Sequence, residues 1–318
     1  MASDNFADII QEIKDLGFER GAKFSYKTKN GQMTKALRYV DFNQGIDGRL
    51  LTEEKMAMLS EIAIRPLRIA FDDIAYKDLY IEKMRLAAKY DIKHLSNYVL
   101  FNYLDTPEDF YERLKVNVML NEELGLQIFS FPMRFIDLKS KNRLVAIPGN
   151  LGKHWTKKYL RAVQCVLHAT RGLVGPKKKF FEKAFGENVE DFKKILLMPE
   201  DYIMHRYRHE NDGSTERWWQ QFNDLSEQGR DELLAVVLNH DFKSLDTLSL
   251  CNPVMQVLKH YLERDDRQLD LFLRNLPDPE VPQPVVYMGG VRLPTSDRRR
   301  FPNRLLKARS GFPNPEPE

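Results

Sequence analysis

Four short apolar runs punctuate the first half of the chain: LRYVDF from Leu37, LRIAF from Leu67, LSNYVLF from Leu95 and LQIFSF from Leu126. Their starts advance by about 30 residues each time, the length of a β-strand plus a crossover helix. The segments between them carry helix signals. Thr52 followed by Glu53 and Glu54 offers a cap and an acidic first turn ahead of the apolar Met56, Met58, Leu59 and Ile62. Thr106-Pro107-Glu108-Asp109 combines a capping hydroxyl, a proline suited to the first helical position and two carboxylates at the positive end of the helix dipole. Residues 78–90 form the remaining helix. Strands alternating with helices predict a parallel sheet with right-handed crossovers and both faces covered.

Residues 4–17 have the pattern of a further amphipathic helix. The repeat would set a strand before it, where only Met1–Ser3 stand, so the chain is expected to enter the array at a helix. Between that helix and the first apolar run lies KFSYKTKNGQMTKALRY, whose Asn30-Gly31 suits a tight turn and reads as an inserted ribbon.

After Pro148-Gly149-Asn150 the period becomes helical throughout, with apolar residues at three- and four-residue spacing in 157–170, 189–208, 216–238 and 253–275. Gly172, Gly175-Pro176 and Gly186 punctuate these helices. The predicted fold class is α/β: an incomplete parallel β/α barrel of about four βα units over 1–148, then an all-α domain over 149–275. A tail over 276–318 holds nine of the sixteen prolines and Arg298-Arg299-Arg300, and reads as poorly ordered.

Charge adds little: 49 basic and 46 acidic residues leave a formal net charge of +3, so nucleic acid is not favoured as a partner by the overall field. No run reaches the roughly 20 apolar residues of a membrane helix, and the start has no signal-peptide pattern, so a cytoplasmic location without a membrane partner is expected. Cys165 and Cys251 stand far apart and read as buried free thiols rather than as a disulfide or a metal site.

Ligands of open α/β sheets and barrels bind beyond the carboxyl ends of the strands. Each apolar run ends there in polar residues: Asn43, Gln44, Asp47 and Arg49 after the first, Asp72 and Asp73 after the second, Asn97, Asn102 and Asp105 in and after the third, Ser130, Met133 and Arg134 at the fourth. An unsatisfied buried amide costs on the order of 1–3 kcal/mol, so Asn43, Gln44 and Asn102 point to a polar ligand such as a nucleoside or amino acid.

At these residues the chain resembles the radical SAM superfamily. The stretches RYVDFNQGIDGRLLTEEKMAMLSEI, RPLRIAFDD, LSNYVLFNYLDTPEDFYERL and LQIFSFPMRFIDL look like the third to sixth strands of that partial, TIM-barrel-like fold, over about residues 1–140. The resemblance implies that Asp72 and Asp73 meet the ribose of S-adenosylmethionine, and that NYVLFNYLDTPED corresponds to the fifth-strand GxIxGxxE segment. Asn97 and Phe101 replace its two glycines, and Asn102 follows them. Ser130 and Met133 would border the adenine, while Asn43, Gln44, Asp47, Arg49 and Arg134 would face the substrate.

Members of this family cleave S-adenosylmethionine reductively with a 4Fe-4S cluster held by a CxxxCxxC loop, which this sequence lacks. The expectation is therefore a truncated or split form, inactive alone. Its cluster would require a supplied N-terminal segment, and its partner would be that N-terminal half, or a second copy, at an open strand edge over 37–42. The alternative is a non-catalytic nucleoside- or nucleic-acid-binding module. Lys177-Lys178-Lys179 with Phe180-Phe181, Trp155, Lys157, Lys158 and Arg161 form a candidate basic and aromatic patch, weighed against a solvated face. His205 and His209 beside Glu210 form a candidate metal pair, opposed by the intervening Arg206 and Arg208.

Overall fold

A computed structural model describes residues 5–136, 151–242, 245 and 250–262, all within one compact unit, Met1–Leu276. The chain is a mixed α/β protein. The boundary expected near residue 148 and the tail over 276–318 lie outside the described residues.

Helix α1 (Phe6–Asp15) buries Phe6 and Ile10. A hairpin follows, with β1 (Lys23–Lys27) antiparallel to β2 (Met33–Leu37) and Gly31 in the left-handed region at φ +80°. Asn30-Gly31 turns the chain as its sequence implies. Helix α2 (Glu53–Glu61) starts at Thr52, whose hydroxyl accepts from Lys55 N–H, and α3 spans Lys77–Lys89. Helix α4 (Pro107–Leu124) opens on a complete capping box between Thr106 and Asp109.

Strands β3 (Leu67–Arg68), β4 (His94–Phe101) and β5 (Gln127–Arg134) form a parallel sheet in that order, with Leu67 opposite Leu95 and Phe101 opposite Arg134. The first apolar run departs from expectation. Leu37 is spent in the hairpin, and residues 38–46 lie beside 62–70 through the isolated parallel bridges Val40–Ile64 and Ile46–Ile69. The turn closed by Gly45 N–H on Phe42 C=O breaks the run between them. So 37–42 is not a regular strand, and the sheet has three strands with no closed barrel among the described residues.

Alternation along β4 sends Leu95, Asn97, Val99 and Phe101, all buried, to the helix side, and Ser96, Tyr98 and Leu100 to the other. One apolar core packs Ile10, Met56, Leu59, Leu67, Tyr80, Met84 and Ile128 around the lower sheet. The second joins Val99, Phe101, Phe110 and Leu114 to the helices that follow. These are α5 (Lys157–Ala169), α6 (Lys178–Phe185), α7 (Val189–Leu197), α8 (Glu200–Met204), α9 (Arg206–Asn211), α10 (Ser214–Asn223), α11 (Glu227–Asn239) and α12 (Asn252–Leu262).

The single helix expected over 189–208 is three. Met198, which precedes Pro199, is held extended at ψ 141°, as a residue before proline prefers. The one expected over 216–238 breaks at Asp224-Leu225, and Ser226 caps the second half through Gly229 N–H. The part of the last expected helix beyond Leu262 lies outside the described residues. No helix among the described residues is long and apolar enough to cross a membrane.

Candidate site at the carboxyl end of the parallel sheet

Helix α4 fixes this end of the sheet with polar groups on its buried face. Arg113, Asn117 and Asn121 recur every four residues, so they form one stripe on the helix. The Arg113 guanidinium is wholly buried and donates to Phe71 C=O at 3.3 Å, Asp72 C=O at 2.8 Å and the Asp105 carboxylate at 2.8 Å, tying the ends of β3 and β4 together. Burial pushes Arg113 down and Asp105 up, and their mutual attraction restores part of each charge. Trp155 Nε1 donates to Asp105 C=O at 2.9 Å and brings the segment before α5 onto the same knot.

One turn along, Asn117 accepts from Tyr80 Oη at 2.7 Å and donates to Ser130 Oγ at 2.7 Å and Asn97 Oδ1 at 3.3 Å, while Asn97 Nδ2 donates to Tyr80 Oη at 3.1 Å. All four side chains are buried. Burial pushes the Tyr80 hydroxyl well above its ordinary pKa, which keeps it a neutral donor. Asn97 and Ser130 thus face the helix layer and are satisfied there by Asn117 and Tyr80. Asn121 completes the stripe by bonding both N–H and C=O of Ile128.

The other expected site residues divide between roles in the fold and open positions. Asp73 caps a 3-10 turn by accepting from Ala75 N–H at 2.9 Å. Asp47 caps another through Arg49 N–H and grips the Arg49 guanidinium at 2.7–3.0 Å, which also lies 5.5 Å from the Tyr76 ring. Asn102 is buried at φ 68°, donates to Phe135 C=O and accepts from Gly152 N–H at 2.9 Å. A side chain at Gly152 would place its Cβ 2.6 Å from Tyr103 O, so only glycine lets this segment approach β4. Asn43 is exposed and accepts from Tyr98 Oη at 3.4 Å; Gln44 is exposed beside it. Asp72 is exposed as a residue, yet crowding by its neighbours pushes its carboxyl up, offset only in part by a backbone bond at Leu100 and by Arg113.

Arg134 ends β5 and is unlike every other basic group of this region. Its Nε and Nη2 are buried and have no hydrogen-bond partner, and burial alone depresses it. On the sheet face away from the helices, Met133 is half-buried with Tyr98, Leu100 and Phe131, and none of these joins either apolar core. The same face carries Arg68, held by Asp41 at 2.7 Å twice and donating to Ser96 Oγ at 2.9 Å, with its guanidinium 5.6 Å from the Tyr98 ring and 5.9 Å from that of Phe131.

The sequence pattern did not disclose Arg113, Tyr80, Asn117, Arg68 or Asp41. A polar stripe of Arg113, Asn117 and Asn121 at four-residue spacing inside the apolar face of α4 is the signal that was present.

The remaining candidates lie in the helical half. Cys165 is buried in the helical core and Cys251 is exposed ahead of α12, which corrects the expectation that both are buried. Iron–sulfur clusters need converging thiolates, and these two residues do not fit one. Lys158 is buried and donates to Met198 C=O at 2.6 Å, Arg161 pairs with Glu200, and Trp155 is buried, so these three leave the suggested basic patch, while Lys177–Lys179 are exposed. His209 bonds Asp201 at 2.8 Å and stacks on Tyr202, with His205 3.8 Å from the same carboxylate. Glu210 is exposed, and no group of three metal-ligating side chains converges among the described residues.

Comparison with family models, curated proteins and solved structures returns no match to this chain.

Proposed function

We propose that this protein binds a small carboxylate-bearing nucleoside of the S-adenosylmethionine class at the carboxyl end of its parallel sheet, on a frame like part of a radical-SAM barrel. The observation that carries the reading is Arg134. A guanidinium stays charged at all working pH values, and leaving two of its nitrogens buried without partners carries a desolvation cost that an anion would offset. A carboxylate of an amino-acid moiety presents two oxygens that match the free Nε and Nη2 as a fork.

Parallel α/β sheets bind ligands at this edge. The raised Asp72 carboxyl offers a partner for ribose hydroxyls, and Asn43 and Gln44 are exposed to a polar ligand. The resemblance of about residues 1–140 to the radical SAM superfamily supports the same ligand class. Thiolates for a 4Fe-4S cluster would have to come from groups other than Cys165 and Cys251.

Calorimetry with S-adenosylmethionine, S-adenosylhomocysteine and adenosine tests it. The two amino-acid-bearing ligands should bind about tenfold or more tightly than adenosine, and Arg134→Gln should erase that difference, as loss of one charge-assisted pair implies. Equal binding of all three, or none at millimolar concentration, overturns the proposal.

A further inference from the structure

The hairpin of β1 and β2 carries a run of basic residues uninterrupted by acidic ones. From Arg20 to Val40 the chain has six basic residues, Arg20, Lys23, Lys27, Lys29, Lys35 and Arg38, and no acidic one, although the whole protein is nearly neutral. Register sets the composition of each face, because residues directly opposite in an antiparallel pair share a side. Lys23 lies opposite Leu37, Ser25 opposite Lys35 and Lys27 opposite Met33, so three lysines, Met33 and Leu37 stand on one face. Every one of these residues is exposed. None of the four hairpin lysines forms an ion pair among the described residues.

Aromatic surface accompanies the charge. Tyr39 continues this face and is exposed, and on the other face Phe24 is exposed with Tyr26 tilted against it at 5.7 Å. At its base the hairpin opens into a cleft of about 190 Å³ lined by Leu37, Arg38, Tyr39, Arg20, Arg65, Lys93 and His94. Asp91 is its one acid and is engaged by Arg20 at 2.6 Å and Lys93 at 3.0 Å. Arg65 donates to Tyr39 Oη at 2.8 Å and lies over the Tyr39 ring, presenting a fixed cation beside an exposed aromatic face.

From this geometry we infer that the hairpin and its basal cleft form a docking surface for single-stranded nucleic acid, separate from the sheet edge assigned above. Unpaired lysines spaced along a two-stranded ribbon of about 17 Å match a run of phosphates. The exposed Tyr39 ring on the lysine face, with Met33 and Leu37 beside it, offers stacking to unpaired bases, which a duplex keeps stacked internally. The charge complementarity decides the occupant: an apolar protein partner would leave the lysines without counter-charges, and an anionic lipid surface would leave the aromatic faces without specific partners.

Fluorescence anisotropy of the full chain with a labelled oligouridylate of about 12 nucleotides, over a salt series, tests the inference. Binding should weaken with salt at a slope of about −0.7 per phosphate contact. The variant Lys23→Gln/Lys27→Gln/Lys35→Gln, whose sites are all exposed, should reduce that slope by about two and the affinity at low salt by about tenfold or more, while circular dichroism stays that of the native chain. Tyr39→Ala should weaken oligouridylate without altering the slope. Three outcomes overturn the inference: no binding at low salt, binding unchanged in the triple variant, or duplex DNA or phosphatidylserine vesicles bound as tightly as oligouridylate with no effect of Tyr39→Ala.

Discussion

Asn117 on α4 donates to the Ser130 hydroxyl on β5 at 2.7 Å, deep between helix and sheet. That bond, with those to Tyr80 and Asn97, turns two residues expected to meet a nucleoside toward the protein's own interior. A polar stripe through an apolar layer demands full satisfaction, since each orphaned group carries its desolvation cost.

Asn117→Leu should therefore be severely destabilising. Losing it orphans Ser130 Oγ and leaves Tyr80 Oη and Asn97 Oδ1 short of partners, which corresponds to about 2–4 kcal/mol. Urea denaturation should show a lower midpoint with an unchanged slope.

Arg113→Met removes a buried cation together with its tie between β3 and β4, stranding the Asp105 carboxylate. The expected loss is about 3–5 kcal/mol. The double variant Arg113→Met/Asp105→Asn should recover part of it, and a loss in the double variant equal to the sum of the two single losses would refute the coupling.

Arg134 should behave in the opposite sense. Its guanidinium has two buried nitrogens without partners, so Arg134→Met is expected to stabilise the ligand-free protein by about 1–2 kcal/mol while abolishing the preference for carboxylate-bearing ligands. Thermal melts with and without S-adenosylhomocysteine read both effects.

Glu200 governs acid stability. Burial pushes its carboxyl up, but Lys158, Arg161 and His240 more than offset this and leave it at about 2. A folded pKa below the ordinary value of 4.5 means stability that is present above pH 4.5 and lost as pH falls towards 2, about 3 kcal/mol in all. Glu200→Gln should be less stable than the native chain at neutral pH, and the gap should close on acidification across that window. Chemical denaturation at a series of pH values measures it.

The capping box at Thr106 is a smaller and cleaner case. Thr106→Ala deletes the acceptor for Asp109 N–H at 3.1 Å and should cost about 1 kcal/mol, whereas Thr106→Ser should be nearly neutral.

Local chemistry was legible in the amino-acid sequence. Caps at Thr52 and Thr106, the Asn30-Gly31 turn, α3 and α4, and the strands at 94–101 and 127–134 each depend on neighbours within a few residues, so their signals survive in one dimension. The parallel order also followed from the repeat, because a short strand-helix-strand unit has few right-handed solutions. Three things lay beyond that reach. Whether residues 37–42 pair with β3 or feed the hairpin depends on competing partners far apart in sequence. Which side of β4 Asn97 faces depends on register against α3 and α4, and a one-residue change reverses it. Whether an arginine is satisfied, like Arg113, or left without partners on two nitrogens, like Arg134, depends on which carbonyls and carboxylates the tertiary fold brings within about 3 Å.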